Sequence, residues 1–385
     1  MQKKMIALFS AGVAGIIAFF YFLGLPQIIE VISHANALML LASFAMEVMV
    51  LLLLGFKLGV IANGQGNLRL VKGRWSAGKY KGISFRDVFR ANILGMLVSF
   101  MTPVARVGGE PVKIMILRKN GINTAASTAI VATDSFTEVF SYYMIVMLSI
   151  AFIISTGMLP MAIMVPFITI FIVSSALLVL FFVMCFRYSV LCRVVDFIRW
   201  VASRIPRRFS RPEEGRTDYA WTFYDTFTLM MTNKLFMLKA FSLSFTVKLL
   251  EFLRMYFIFA AFGYDISFVT IVLAWSIMLL VGMIPATPGG MGFVEAGGTY
   301  AYILFGIEKS VAGAVVVVDR LFSFWFVMAL GMFVMSYDTI SKKLRAAANM
   351  AREAAAKAAL RIRNAGKPDF GSKFGEEKNQ GCRIR

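Results

Sequence analysis

Glu110 and Asp134 return 185 residues later as Glu295 and Asp319, and Thr102-Pro103 and Gly121 return at the same offset as Thr287-Pro288 and Gly306. Each copy sets carboxylates and helix breakers inside a hydrophobic stretch, where lipid makes both expensive. Carboxylates so placed either pair with a cation to pin one element to another, or handle protons or charged groups in transit. Cations accompany them: Arg106 and Lys113 in the first copy, Arg320 beside Asp319 in the second. Lys248, Glu251 and Arg254 form a third set at i, i+3 and i+6, roughly along one helix face. That face is either self-neutralised and turned inward, or a polar wall offering two cations and one anion to a zwitterionic or anionic headgroup. Glu47 is a further mid-span carboxylate, and Glu138 lies one turn after Asp134.

Breaks in the helical pattern must position these groups. In Thr102-Pro-Val-Ala-Arg-Val-Gly108-Gly109-Glu110-Pro111, Pro103 and the glycines stop one helix, and Pro111 suits the first turn of the next. The free N–H groups of such a tip, with Arg106 and Lys113, favour an anion such as a phosphate. The second tip carries Thr287, Pro288, Gly289, Gly290 and Gly292 before Glu295; it has more glycine and no cation of its own. Glycine there also serves the simpler purpose of tight turns at depth.

The surroundings are those of a polytopic helical membrane protein. The chain of 385 residues is 59% hydrophobic with a mean hydropathy of +0.75. Several apolar runs reach the roughly 20 residues that cross a bilayer, and no strand-like alternation suggests a barrel. Spans are expected at about 5–25, 38–56, 123–156, 160–186, 236–262 and 310–335. The formal charge of +19 follows from the positive-inside rule rather than from nucleic-acid binding: with both termini cytoplasmic, 33 of the 40 Lys and Arg residues fall on inside segments. The apolar stretches 88–117 and 267–307 are each too short or too broken to span alone. Both are expected to be re-entrant helical hairpins, the first entering from the cytoplasm and the second from outside. That is an inverted-topology repeat, with units at about 84–156 and 267–335, the plan of many secondary transporters.

The remaining signals bound the reading. No GxxxxGK[ST], HExxH or GxSxG occurs, so no ATPase or hydrolase motif is present. Three cysteines and one histidine form no metal-ligand pattern, and no metal or other cofactor is expected. Residues 187–211 read as a basic interfacial helix on an anionic lipid surface. Residues 1–340 read as one transmembrane domain. Of the basic segment 341–385, 341–363 is expected as a surface helix and 364–385 as a disordered tail.

The two stretches Thr102–Asp134, with Arg-x-Gly-Gly-Glu-Pro, and Pro285–Arg320, with Thr-Pro-Gly-Gly-x-Gly-x-x-Glu-Ala-Gly and a later Asp-Arg, resemble the lysylphosphatidylglycerol synthase transmembrane, or flippase-like, family. The resemblance covers roughly residues 5–340. It implies the lipid-handling half of proteins in which this domain is fused to a cytosolic aminoacyl transferase, without that transferase. The implied activity is flippase or scramblase movement of an anionic or zwitterionic phospholipid, or of a lipid-linked glycan, in a prokaryotic cell membrane. Arg106, Lys113, Lys248 and Arg254 would meet phosphate. Glu110, Glu295, Asp134 and Asp319 would meet headgroup cations or take protons, and Glu251 would line the pathway beside Lys248 and Arg254. The other readings are a transporter of a soluble solute or ion, and an intramembrane enzyme acting on lipid. Which lipid, direction, energy source and oligomeric state do not follow from the sequence.

Overall fold

The computed structural model describes residues 25–71, 82–102, 107–157, 216–282 and 287–337, with scattered positions between 165 and 193. The chain is all-α, with no strand among the described residues. After a helical stretch at 25–33 (α1) come α2 (Ala37–Val71), α3 (Phe85–Met101), α4 (Glu110–Lys119), α5 (Thr124–Thr156), α6 (Arg216–Thr232), α7 (Lys234–Ala261), α8 (Phe268–Gly282), α9 (Phe293–Leu304) and α10 (Lys309–Arg320). A π-helical turn, Leu321–Phe326, continues from α10. The chain divides into two compact units, Met1–Met332 and Phe333–Arg385; of the second only 333–337, helical, is described.

Three stretches are long and apolar enough to cross a bilayer: Ala37–Gly64, Thr124–Thr156 and Lys309–Tyr337. The bundle is that of a polytopic membrane protein. Its outer faces are apolar and its inner faces carry charge. Along α2, Leu38, Leu41, Met49, Leu52 and Phe56 are exposed. The opposite stripe, Glu47, Val50, Leu51, Leu54, Lys57, Leu58 and Ile61, is buried at helical spacing. The span expected over 38–56 therefore corresponds to a longer helix, and Lys57 belongs to its buried face instead of starting a cytoplasmic loop. The expectations for 5–24, 194–211, 341–363 and 364–385 lie outside the described residues. So does most of 160–193, whose described positions are helical.

Two triplets of elements share one order. A long helix (α2, α7) precedes a helical hairpin (α3–α4, α8–α9), and a second long helix (α5, α10) follows it. The local signals behave as the chemistry of caps dictates. Ser84 caps α3 by accepting from the Asp87 N–H at 3.3 Å, and Asn233 caps α7 by accepting from the Phe236 N–H at 2.9 Å. Asn123 opens α5 by accepting from the Ala125 N–H at 2.8 Å. The helix ends on Gly157 in the left-handed conformation, φ 61°. Pro111 occupies the first turn of α4.

Neither hairpin is long. At 1.5 Å per residue the 17 residues of α3 rise roughly 25 Å and the 10 of α4 roughly 15 Å. The corresponding rises for the 15 residues of α8 and the 12 of α9 are roughly 22 and 18 Å. The two hairpins meet near their tips. Leu97 of α3 clusters with Met291, Phe324 and Met328, and the carbonyl of Phe100 lies against Gly289.

Close backbone approach holds the first hairpin together. A Cβ on Gly109 would run into the carbonyl of Gly95 on α3, while the Gly109 N–H donates to Ser99 Oγ at 2.9 Å. The obstacle is backbone, so it cannot swing aside. Gly109→Ala is expected to cost about 1–3 kcal/mol, the range for overpacking, read as a lowered thermal midpoint of the detergent-solubilised protein. Gly121→Ala serves as the comparison: that glycine has positive φ but nothing within 4 Å of a Cβ.

Candidate functional site

The long helices bring two clusters of charge into the apolar bundle. The first gathers on Asp134 of α5, which is 2% exposed. Lys57 of α2 reaches its Oδ1 at 3.0 Å, and Lys113 of α4 reaches Oδ2 at 3.3 Å. Lys57 also lies 3.6 Å from Glu138 Oε2 and donates to the Asp134 carbonyl at 3.4 Å. Lys113 lies 3.6 Å from Glu110 Oε1. Lys248 of α7 extends the chain of contacts: it meets Glu251 Oε1 at 2.8 Å, donates to the Tyr142 hydroxyl at 2.5 Å, and stands 4.0 Å from Glu138 Oε1. Its ammonium lies 3.8 Å from the Tyr142 ring centroid, where the ring quadrupole favours a cation.

The second cluster centres on Arg254 of α7. One guanidinium nitrogen, Nη1, meets Glu47 of α2, and Nη2 meets Asp319 of α10 at 2.6 Å. The planar fork allows one side chain to join three helices. Beside it, Arg320 Nε meets Glu295 Oε1 at 2.6 Å, and Arg320 Nη2 donates to the Gly289 carbonyl at 3.0 Å. Glu295 Oε2 in turn accepts from the Gly292 N–H at 2.7 Å. The guanidinium also lies 4.8 Å from the Phe324 ring centroid. Gly289 sits at φ 61° with no room for a Cβ against Phe324, so this carbonyl is offered to Arg320 by a turn that requires glycine.

These contacts revise several expectations. Arg320 does not neutralise its neighbour Asp319. It reaches the hairpin tip and Glu295, while Asp319 takes Arg254. Adjacent helical residues diverge by about 100°, and each finds its own partner. The second tip has no cation in its own sequence, yet α10 delivers one. The N–H group of Gly292 addresses Glu295, so the tip carries its own anion at the start of α9, where the helix dipole favours it. Arg106, Pro103 and the rest of 103–106 lie outside the described residues. Thr102 ends α3 in an extended conformation, and Gly108 and Gly109 form a tight turn before Glu110. Thr287 Oγ1 donates to the Met291 carbonyl at 2.7 Å, and Pro288, Gly289 and Gly290 form the matching turn.

Three members of the network, Lys57, Glu47 and Glu138, were not singled out from the sequence as candidate site residues. Lys57 looked like the start of a basic loop, and Glu47 like an isolated carboxylate. Both carry a readable signal: they lie on the buried 3.6-residue stripe of α2. Among the described residues the network holds seven carboxylates (Glu47, Glu110, Asp134, Glu138, Glu251, Glu295, Asp319) and five cations (Lys57, Lys113, Lys248, Arg254, Arg320). No group of three or more potential metal ligands forms a metal site among those residues.

A helical membrane bundle with two apposed hairpins and an ion-pair network at its centre is the class this architecture defines. The chain belongs to the family described as the lysylphosphatidylglycerol synthase TM region, which matches residues 6–331. A UPF0104 membrane protein of Methanothermobacter thermautotrophicus is 28% identical over 352 residues, covering 89% of this chain and 99% of the relative. A UPF0104 membrane protein of Pyrococcus horikoshii is 27% identical over 67% of this chain and 79% of its own length. One from Methanocaldococcus jannaschii is 23% identical over 83% and 90%. No solved structure matches.

Proposed function

We propose that the protein moves a membrane lipid between leaflets, as a flippase or scramblase, by admitting a zwitterionic or anionic headgroup to the charged interior while the acyl chains stay in lipid. The observation that carries this reading is the network itself. Twelve ionisable side chains lie within an apolar bundle, and each is costly there unless paired or used. The family, a transmembrane region named for lipid synthesis, agrees with a lipid substrate.

Exposure adds direction. The fully buried members are paired deep inside, whereas Glu138, Glu110 and Glu251 keep 27, 23 and 15% of their side chains accessible. A headgroup approaching the network meets carboxylates before it meets lysines, which favours a group with a positive end ahead of its phosphate. Its phosphate would then compete for Lys113 and Lys248, both already held by carboxylates.

The hairpins are read as re-entrant, because each helix in them is short of the roughly 30 Å hydrocarbon core, and tips that meet mid-bundle suit entry from opposite faces. With Lys57 moved into the membrane, 32 of the 40 basic residues would still fall on the inside segments, so both termini are read as cytoplasmic in a prokaryotic cell. The protein is taken to move its lipid unaltered, as a transporter and not an enzyme. Reconstitution of the full chain in vesicles with headgroup-diverse fluorescent lipids tests this. Movement should exceed that of empty vesicles, Glu251→Gln should slow it several-fold, and recovered lipid should keep its mass. No movement with any headgroup would sink the proposal; a changed lipid mass would mark an enzyme instead.

A further inference from the structure

The two repeats differ at one position in a way that leaves the first incomplete. Glu295 lies opposite Arg320, and its two oxygens are both engaged, by Arg320 Nε and by the Gly292 N–H. The residue 185 positions before Arg320 is Ser135, and Glu110 is the counterpart of Glu295. Ser135 faces the Glu110 carboxylate from α5. Glu110 Oε2 and Ser135 Oγ are both buried atoms without a hydrogen-bond partner. A buried carboxylate oxygen left so is costly.

Lys113 does not fill the gap. Its counterpart in the second repeat is Gly298, so the first repeat brings its cation on the hairpin, where the second brings it on the long helix. That lysine is shared: it lies nearer Asp134, at 3.3 Å, than Glu110, at 3.6 Å, and it touches only Oε1. Among the described residues, the charges around Glu110 are Lys113 on its own helix, Asp134 and Glu138 on α5, and, through their contacts, Lys57 on α2 and Lys248 with Glu251 on α7. On the α3 side, Gly95 and Ser99 pack against neighbouring Gly109. Among the described residues, Oε2 is the Glu110 oxygen that no lysine of the cluster reaches.

We propose that Glu110 and Ser135 form an exchangeable site for one positive charge, occupying the place that Arg320 fills permanently in the second repeat. The chemistry shared by its occupants is a small cationic donor to a carboxylate and a hydroxyl: a proton, an alkali cation or a primary ammonium group. The first repeat is thus the half that exchanges charge and the second the half that is locked. The inference stands on the comparison of the two repeats and does not depend on lipid transport.

Dicyclohexylcarbodiimide, which modifies protonated carboxyl groups in apolar surroundings, tests it on the full-length purified protein, with peptide mass spectrometry as readout. Glu110 should be labelled several-fold faster than Glu295, whose two oxygens are both engaged. Labelling of Glu110 should fall as pH rises. Protection by sodium ions at fixed pH would identify an alkali cation, protection by dodecylammonium an organic ammonium, and dependence on pH alone a proton. Ser135→Arg should copy the second repeat and suppress labelling of Glu110. Arg320→Ser should make Glu295 reactive. The wild-type ratio needs neither variant to fold. Equal labelling of Glu110 and Glu295, or none at Glu110, would overturn the proposal, as would full labelling in a folded Ser135→Arg protein.

Discussion

Arg254→Leu is expected to be among the most destabilising single substitutions in this protein. Arg254 is 5% exposed and meets Glu47 and Asp319 through separate nitrogens. Removing it leaves two carboxylates facing each other across an apolar gap. Breaking one buried pair by deleting a partner costs about 3–5 kcal/mol. Here a single deletion breaks two, against a total stability of the order of 5–15 kcal/mol for a folded domain. Arg254→Lys should fall between, because one ammonium cannot present a planar fork to carboxylates on two different helices. The cost should come from the stranded anions and not from the lost cation as such. The triple variant Glu47→Gln, Arg254→Leu, Asp319→Asn should therefore recover much of the loss. Thermal unfolding of the detergent-solubilised protein measures all three. An Arg254→Leu protein that melts with the wild type would show that water or lipid headgroups already screen these carboxylates.

Asp134→Leu should rank beside it, for the opposite sign of charge. Asp134 accepts Lys57 at 3.0 Å and Lys113 at 3.3 Å, so its loss strands two ammonium groups. The substitution is expected to cost about 3–5 kcal/mol. Lys57→Met alone should be costly as well, yet the double variant should be far better than the sum of the singles. A coupling of about 0.5–3 kcal/mol is the range for groups in one network. Glu138→Gln provides the contrast. Its side chain keeps 27% of its surface and contacts two lysines at 3.6 and 4.0 Å, so the effect on stability should be small. Additive effects of the Asp134 and Lys57 substitutions would dissolve the first cluster as a unit.

The hairpins were legible in the sequence because Pro and Gly act locally. Thr102-Pro103 and Thr287-Pro288 mark where helices stop whatever surrounds them, and α3 ends at Met101 with Thr102 as its cap. The carboxylates at the tips and on the following helices were legible for a similar reason, since charge in an apolar run stands out. Their partners were not. Asp319-Arg320 looks like a pair when read along the chain, but helical geometry turns the two side chains apart, and the partner of Asp319 comes from 65 residues away. Lys57 was hidden for another reason. Counting by apolar run ends the span at the first charge, whereas the α2 helix continues to Val71 and its buried stripe runs on past Lys57 to Leu58 and Ile61. Tracing the stripe by its 3.6-residue period, and not by unbroken hydropathy, would have kept Lys57 inside. Pairings across helices depend on tertiary packing, and no local pattern encodes them.

The adjacency of Asp319 and Arg320 makes α10 a rotary coupling. One residue holds α7 through Arg254, and the next holds the second hairpin tip through Glu295 and Gly289. Both grips are fixed at nearly the same height on one helix axis, about 100° apart around it, so turning α10 moves both together. The π turn that begins at Leu321, immediately after them, is a break in the regular winding at the base of this spindle. Twist applied below that turn can be absorbed there before it reaches the two grips. The second hairpin is therefore geared to α7 through two adjacent residues of α10.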